Sequence, residues 1–274
     1  MSDLKRNIIN HLNKHGFALE LESEKILRQT GFEVSPSNHY LDSEENKYRE
    51  IDLVAFKCIT YNDFTFNLCF VFECKNTPER PWVIIKKDRE FDDEQLIGAF
   101  NHTFNSDIIL NSFQRQYEKL QDFDNLIVPT GSNSVGFNVV QISDTNKHND
   151  AYAASMTLKK SCEYLTSKSN QSKSRFANIY IPIIIVNAPL FNCFLSETNE
   201  LEIKETKYEV MIEVRAFETP FLRSYTIVQR DYLQEYSSKL AVYSDKILDE
   251  LESAIKQTSK ERPISSDDGT YRIV

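Results

Sequence analysis

The sequence predicts an α/β or α+β domain in which helices flank a mixed central sheet. Three observations carry this. Segments near both ends repeat apolar residues at the spacing of an amphipathic helix. The middle holds short runs rich in Val, Ile and Phe, bounded by turn residues. Neither an internal repeat nor a linker divides the 274 residues. The chain therefore reads as one domain, 1–274. Its core covers about 1–145, an extension of the same domain 146–260, and a frayed tail 261–274.

Taken in order, Leu4, Ile8, Ile9 and Leu12 recur at helical spacing, with Ser2 or Asp3 as cap and Gly16 as stop. A second helix runs from about Phe17 to Thr30 and stops at Gly31. Phe32-Glu33-Val34 reads as a short strand, and the polar stretch from Asn38 to Lys47 as a loop. Two strands follow, Arg49 to Phe56 and Asn67 to Lys75, separated by the turn-like Tyr61-Asn62-Asp63. Both are nearly all apolar, which suits strands covered on both faces.

Pro78 and Pro81 break the chain before another short strand, Trp82-Val83-Ile84-Ile85, and the basic cluster Lys86, Lys87, Arg89. Asp92 to Leu120 reads as helical. Ile127-Val128 and Val135 to Ile142 read as strands around Gly131-Ser132-Asn133-Ser134, a plain turn that lacks the Lys and helix of a nucleotide loop. Ala151 to Leu165 is helix-like, and Ser167 to Ser174 a polar loop. Asn178 to Asn187 is a strongly apolar strand whose Pro182 argues for an edge position or a bulge. Lys207 to Phe217 alternates as a strand, and Asp231 to Lys256 is mainly helical, with Leu233, Leu240, Ile247, Leu248 and Leu251 on its apolar side.

Hydrophobic content of 41% and charged content of 27% are ordinary for a soluble globular chain. The net charge of -9 argues against a surface that binds nucleic acid everywhere, but a metal site is itself acidic and phosphate contacts need only local basic surface. The cysteines Cys58, Cys69, Cys74, Cys162 and Cys193 form no Cys-x-x-Cys pair. They read as buried thiols in a reducing compartment. No apolar segment follows the charged start, and the longest aliphatic run, Ile179 to Val186, is too short to span a bilayer. The expected location is the cytoplasm, with no membrane partner.

The chemistry concentrates in the central strand pair. Asp52 stands inside an apolar run, and Glu73 follows Phe70-Val71-Phe72. Unpaired buried carboxylates cost several kcal/mol, so positive charge is expected beside them. Residues two apart share a strand face, which puts Glu73 with Lys75 and turns Cys74 away. If the strands are neighbours, Asp52 lies beside Glu73. Two carboxylates with waters or phosphate oxygens suit Mg²⁺ or Mn²⁺, and a lysine beside such an ion can orient or help deprotonate an attacking water.

Asp52 followed by Glu73-Cys74-Lys75 resembles the PD-(D/E)XK phosphodiesterases, the restriction-endonuclease-like nucleases. Ile51 stands where the family name puts Pro. The resemblance covers roughly the N-terminal third. It implies a restriction-endonuclease-like core with C-terminal additions, and a metal-dependent nuclease acting on DNA. Asp52, Glu73 and the Cys74 backbone carbonyl would hold the ion, and Lys75 would position the water. On the second helix, the 100° turn per residue puts Leu19, Ser23, Ile26 and Leu27 on the buried stripe, demotes Glu24 and leaves Glu20 and Glu22 equal. The resemblance selects Glu20, about one turn into a helix ending at Gly31-Phe32. The rival expectation is a catalytically silent protein of the same fold serving as a DNA-binding or assembly subunit. Restriction, anti-phage defence and DNA repair, and a partner protein that gates activity, all stay open.

Lys159, Lys160, Lys168, Lys173 and Arg175 make a basic stretch opposed only by Glu163, either a phosphate-contacting surface or a solvated helix end and loop. His11, His15, His39, His102 and His148 lack zinc spacing. No Gly-x-Ser-x-Gly elbow supports a serine hydrolase. Gln114 and Tyr117 read as ordinary helix surface.

Overall fold

A computed structural model describes residues 3–42, 44–62, 64–90, 126–127, 132–143, 149–171, 176–215 and 221–261. In chain order the elements are α1 (Asp3–Lys14), α2 (Phe17–Gln29), β1 (Glu33–Asp42), β2 (Lys47–Tyr61), β3 (Phe64–Asn76), β4 (Trp82–Asp88) and β5 (Ser134–Gln141). Then come α3 (Asp150–Gln171), β6 (Phe176–Asn187), β7 (Leu190–Leu195), β8 (Leu201–Glu205), β9 (Tyr208–Arg215), β10 (Phe221–Gln229), a single 3-10 turn (Arg230–Tyr232) and α4 (Leu233–Glu261). The strands form one mixed sheet, in the order β1-β2-β3-β6-β10-β9-β5-β4-β7-β8. This is an α+β arrangement with helices on both faces of a large sheet.

The strand β3 lies at the heart of one half of that sheet. It pairs antiparallel with β2 and parallel with β6. Phe64, Phe66, Leu68, Phe70 and Phe72 all point to the face covered by α2 and α4, and all are buried. Cys69 and Val71 point to the opposite face, covered by α3. Both faces are closed, which is why β3 reads as a continuous apolar run. Each such side chain contributes about 1.5–3 kcal/mol on burial.

Several expectations need correction. Asn38 to Lys47 is mostly strand, because β1 runs to Asp42 and pairs with β2 back to Lys47. Its polar character fits a strand at the sheet edge. Pro182 lies neither on an edge nor at a bulge. β6 sits between β3 and β10, and its register with β3 is unbroken through Val71↔Pro182. The ladder to β10 starts at Ile183, one residue past the proline. Helix α3 runs on to Gln171, into the stretch from Ser167 expected to be a loop, whose residues beyond Gln171 lie outside the described ones, and Thr166 bonds back to the Cys162 carbonyl at 2.6 Å. Residues 146–260 supply β6, which pairs with β3, and β10, which pairs with β6. Strands β7, β8 and β10 were not expected. Cys58 is exposed, whereas the other cysteines are buried. Helix α1 forms, but its apolar residues are exposed. Leu126 and Ile127 are buried in a bend and not a strand, while Val128, Gly131, the helix expected over Asp92 to Leu120 and the tail beyond Glu261 lie outside the described residues.

The β1–β2 connection is held by Asp42, which is buried. Its Oδ2 accepts from Lys160 Nζ at 2.9 Å and Arg49 Nε at 3.1 Å, and its Oδ1 from the Glu44 backbone N–H at 3.1 Å. The Lys160 ammonium first, with the backbone and Arg49 donors, outweighs burial and holds the carboxyl at about 2, below its ordinary 3.8. A carboxyl depressed on folding stabilises the fold above its unfolded value, and that contribution disappears as pH falls through the folded value. Asp42→Asn is therefore expected to be less stable than the wild type at neutral pH. The difference should shrink as pH falls from 3.8 towards about 2. Denaturant melts at a series of pH values measure this, and a pH-independent difference would contradict it.

Candidate active site

The β2–β3 ladder runs from Tyr61↔Phe64, at a hairpin tip where Asn62 has φ 55, to Leu53↔Phe72, and stops there. Beyond that point β2 stays with β1 through Lys47↔Asp42, whereas β3 stays with β6 through Asn76↔Asn187. The two strands part between their partners. Asp52 is the first residue past the parting, and its Oδ2 accepts the Cys74 backbone N–H at 2.6 Å. A side chain thus replaces the missing ladder bond. In β1 the residue level with Asp52 is Ser37, in the left-handed region at φ 52. The alternation breaks at the same place. Leu53 packs in the α2–α4 core, but Ile51, two residues away, packs in the α3 core with Tyr40.

Glu73 is buried, and Lys75 Nζ donates to its Oε1 at 2.5 Å. Cys74 points to the other face, into the α2–α4 core. Burial first, then repulsion from Asp52, pushes the Glu73 carboxyl up to about 7, with Lys75 opposing. Burial also raises the Asp52 carboxyl, against the Cys74 N–H and Lys75. For Lys75 burial works against the charge, but Glu73 and Asp52 outweigh it and hold the ammonium up. The cluster has more carboxyl groups than its one ammonium can pair with, so burial and mutual repulsion oppose their ionisation.

Glu20 joins this cluster electrostatically. Burial, then Asp52 and Glu50, pushes its carboxyl up to about 7, with Lys75 opposing. Glu20 lies in the first turn of α2, whose N-cap Gly16 has φ 85 and lies close to Glu20 Oε1 and to Asn76, the residue after Lys75. Glu22 and Glu24 have other partners. Glu22 Oε2 accepts from Arg230 Nε at 2.9 Å, and Glu24 pairs with Arg28 at 2.8 Å. The buried stripe of α2 is Leu19, Ser23 and Leu27, with Ile26 partly buried. If the cluster is the phosphodiesterase site that the Asp52 and Glu73-Cys74-Lys75 resemblance implies, cleavage by Glu20→Gln should fall about 10²-fold, the scale of a removed catalytic-site carboxylate, and by Glu22→Gln only a few-fold. Rates measured in parallel decide it, and the reverse order would move Glu20 out of the site.

The basic stretch is drawn into the fold more than its sequence suggests. Lys159 pairs with Glu213, Lys160 pairs with Asp42 and Glu44, and Lys168 sits 5.6 Å over the Tyr164 ring. Glu163 is thus not its only acidic neighbour. Lys173, Arg175, Gln114 and Tyr117 lie outside the described residues. Sequence reasoning missed Glu50, which acts on Asp52 and Glu20. It also missed a recess of about 220 Å³ beyond Lys75, lined in part by Asn76, Asn187, Arg230 and Glu22. Asn76 is legible as the residue after Lys75. Arg230 carries no local signal, because it reaches Glu22 across 208 positions.

Among the described residues, no three His, Cys, Asp or Glu side chains converge tightly enough to hold a metal by themselves. Asp52 has turned one oxygen to Cys74 and Glu73 one oxygen to Lys75. The second oxygen of each carboxylate is not spent in these bonds. An all-oxygen set of one or two carboxylates, completed by waters and phosphate, is what Mg²⁺ accepts, and the excess negative charge favours a cation. The residues fit an ion of that kind. No described helix is long and apolar enough to cross a membrane, which does not bear on spanning by strands. No family model matches the chain, and neither a curated protein nor a solved structure matches it.

Proposed function

We propose that the chain is a metal-dependent nuclease of the PD-(D/E)XK kind that hydrolyses DNA phosphodiester bonds. The observation that carries this reading is the parting of β2 from β3 at Asp52, with Glu73, Lys75 and Glu20 gathered around it under excess negative charge. A salt bridge at the end of an ordinary sheet needs one carboxylate for one ammonium. It does not explain why Asp52 on the parted strand and Glu20 on α2 stand in the same cluster, each raised by burial and by neighbouring carboxylates. In this reading β1, β2, β3 and β6, with α2 and α3 on opposite faces, form the restriction-endonuclease-like part of the sheet.

A bound Mg²⁺ or Mn²⁺ supplies Lewis-acid stabilisation of charge on the scissile phosphate. Asp52 and Glu73 would hold it through the oxygens that Cys74 and Lys75 leave. The Cys74 carbonyl lies on the same strand side as its N–H, towards Asp52, and would add a further oxygen. Glu20 would contribute directly or through water. Lys75 keeps its proton at Nζ, fixed by Glu73, and from there orients the attacking water. The chain supplies position and charge, which is most of what phosphoryl transfer requires.

The test incubates pure protein with plasmid and with linear DNA, in Mg²⁺, in Mn²⁺ and in EDTA. Cleavage with either metal and none in EDTA is the expected result. DNA bound but never cut would replace this reading by the catalytically silent subunit.

A further inference from the structure

Among the described residues strand β8 ends the sheet, and every one of its residues, Leu201 to Glu205, is exposed. It pairs with β7 in the register Asn192↔Lys204 and Cys193↔Ile203. At the ends of this ladder the Ser196 N–H donates to the Glu200 carbonyl at 2.8 Å and the Thr206 N–H to the Leu190 carbonyl at 3.0 Å. Backbone direction alternates along an antiparallel pair, so Glu202 and Lys204 also turn their N–H and C=O to β7. Leu201, Ile203 and Glu205 turn theirs outward. An open row of donors and acceptors therefore lines the edge, beside apolar side chains that are 73% (Leu201), 62% (Ile203) and 62% (Leu195) exposed.

We infer that β8 pairs with β8 of a second copy of this chain, antiparallel about a two-fold axis at Ile203. The inference is independent of the nuclease reading. Its support is the self-complementarity of Leu-Glu-Ile-Lys-Glu. With Ile203 on the axis, Ile203 meets Ile203 and Leu201 meets Glu205 of the second copy, in pairs that exchange their backbone bonds. Glu202 falls opposite Lys204 of the second copy, and Lys204 opposite its Glu202. These are the non-hydrogen-bonded positions, where opposed side chains stand closest. Within one copy Lys204 and Glu202 lie 3.7 Å apart, 68% and 45% exposed, so the four charges form an alternating cluster across the axis.

A lysine in an edge strand ordinarily blocks pairing. Here it rejects strands that present lysine or an apolar residue and admits the one register that presents glutamate. A two-fold interface must be complementary to itself, and this sequence is. The two sheets join into one that is continuous through the axis.

The test is the oligomeric state of the full chain by analytical ultracentrifugation over a concentration series. The wild type is expected to dimerise. Glu202→Lys and Lys204→Glu each set like charges opposite one another twice, and should raise the dissociation constant about tenfold. The double reversal restores opposite charges and should restore the dimer, which separates the interface from any folding defect of the single variants. Amide hydrogen exchange at Leu201, Ile203 and Glu205 should slow with dimerisation, while that at Glu202 and Lys204 stays slow throughout. A wild type that is monomeric at every concentration overturns the inference. So does a dimer indifferent to both reversals, a double variant that stays dissociated, or an Ile203 amide that exchanges fast in the dimer.

Discussion

The Asp52→Asn protein is expected to fold and to bind DNA, yet to cleave it about 10³-fold more slowly than the wild type. The amide keeps an acceptor for the Cys74 N–H, which Asp52 Oδ2 now receives at 2.6 Å, so the parted strands stay where they are. What disappears is one negative charge beside Glu73 and Glu20. That charge is held against burial, and its removal relieves repulsion in the cluster. Thermal melting in EDTA should therefore show the variant to be as stable as the wild type or more so. Single-turnover cleavage of linear DNA in saturating Mg²⁺ measures the loss. Near wild-type cleavage by the folded variant would take Asp52 out of the site, and the nuclease reading with it.

Phe70→Ala should cost about 3–5 kcal/mol of stability, the usual consequence of removing a buried aromatic side chain. Phe70 is fully buried in β3, edge-on to Phe32 with ring centroids 5.5 Å apart. Its side chain faces the α2–α4 layer, and β3 is fixed by its ladders to β2 and β6 and cannot move to fill the void beneath those helices. Domains of this kind have about 5–15 kcal/mol in total, so the loss is a large fraction of the whole. A urea titration should show a lower midpoint with an unchanged slope. Leu21→Ala, at an exposed position on α2, is the control and should stay within about 0.5 kcal/mol of the wild type. Equal shifts for the two variants would mean that β3 is not the centre of the core.

Where burial is one-sided or complete along a continuous stretch, it leaves a pattern that can be read. The strands around Asp52 and Glu73 were legible for this reason, as were the helices beginning near Phe17 and Asp231. Strand β8 left no such pattern, because all five of its residues are exposed. The loop expected over Asn38 to Lys47 failed because polar composition marks exposure and not backbone conformation. The chain pairs there with β2, and an edge strand can be as polar as a loop. Pro182 misled for the opposite reason. The rule that proline belongs on edges concerns a missing donor, and β10 takes up its pairing only past that point.

The residues themselves determine that Glu73 and Lys75 share a face and that Cys74 turns away, because a strand repeats every two residues whatever surrounds it. They determine equally that Leu19, Ser23 and Leu27 form the inner stripe of α2, because a helix turns by a fixed angle. The rest was decided in three dimensions. Helix geometry could not choose between Glu20 and Glu22; Arg230, remote in sequence, occupies Glu22, and the parted strands bring Asp52 and Lys75 within electrostatic reach of Glu20. The basic stretch from Lys159 looked open until Asp42, Glu44 and Glu213 arrived from other strands. Local periodicity fixes the direction in which a side chain points. What it meets there depends on which strands lie side by side, and that is set by the burial of the whole core.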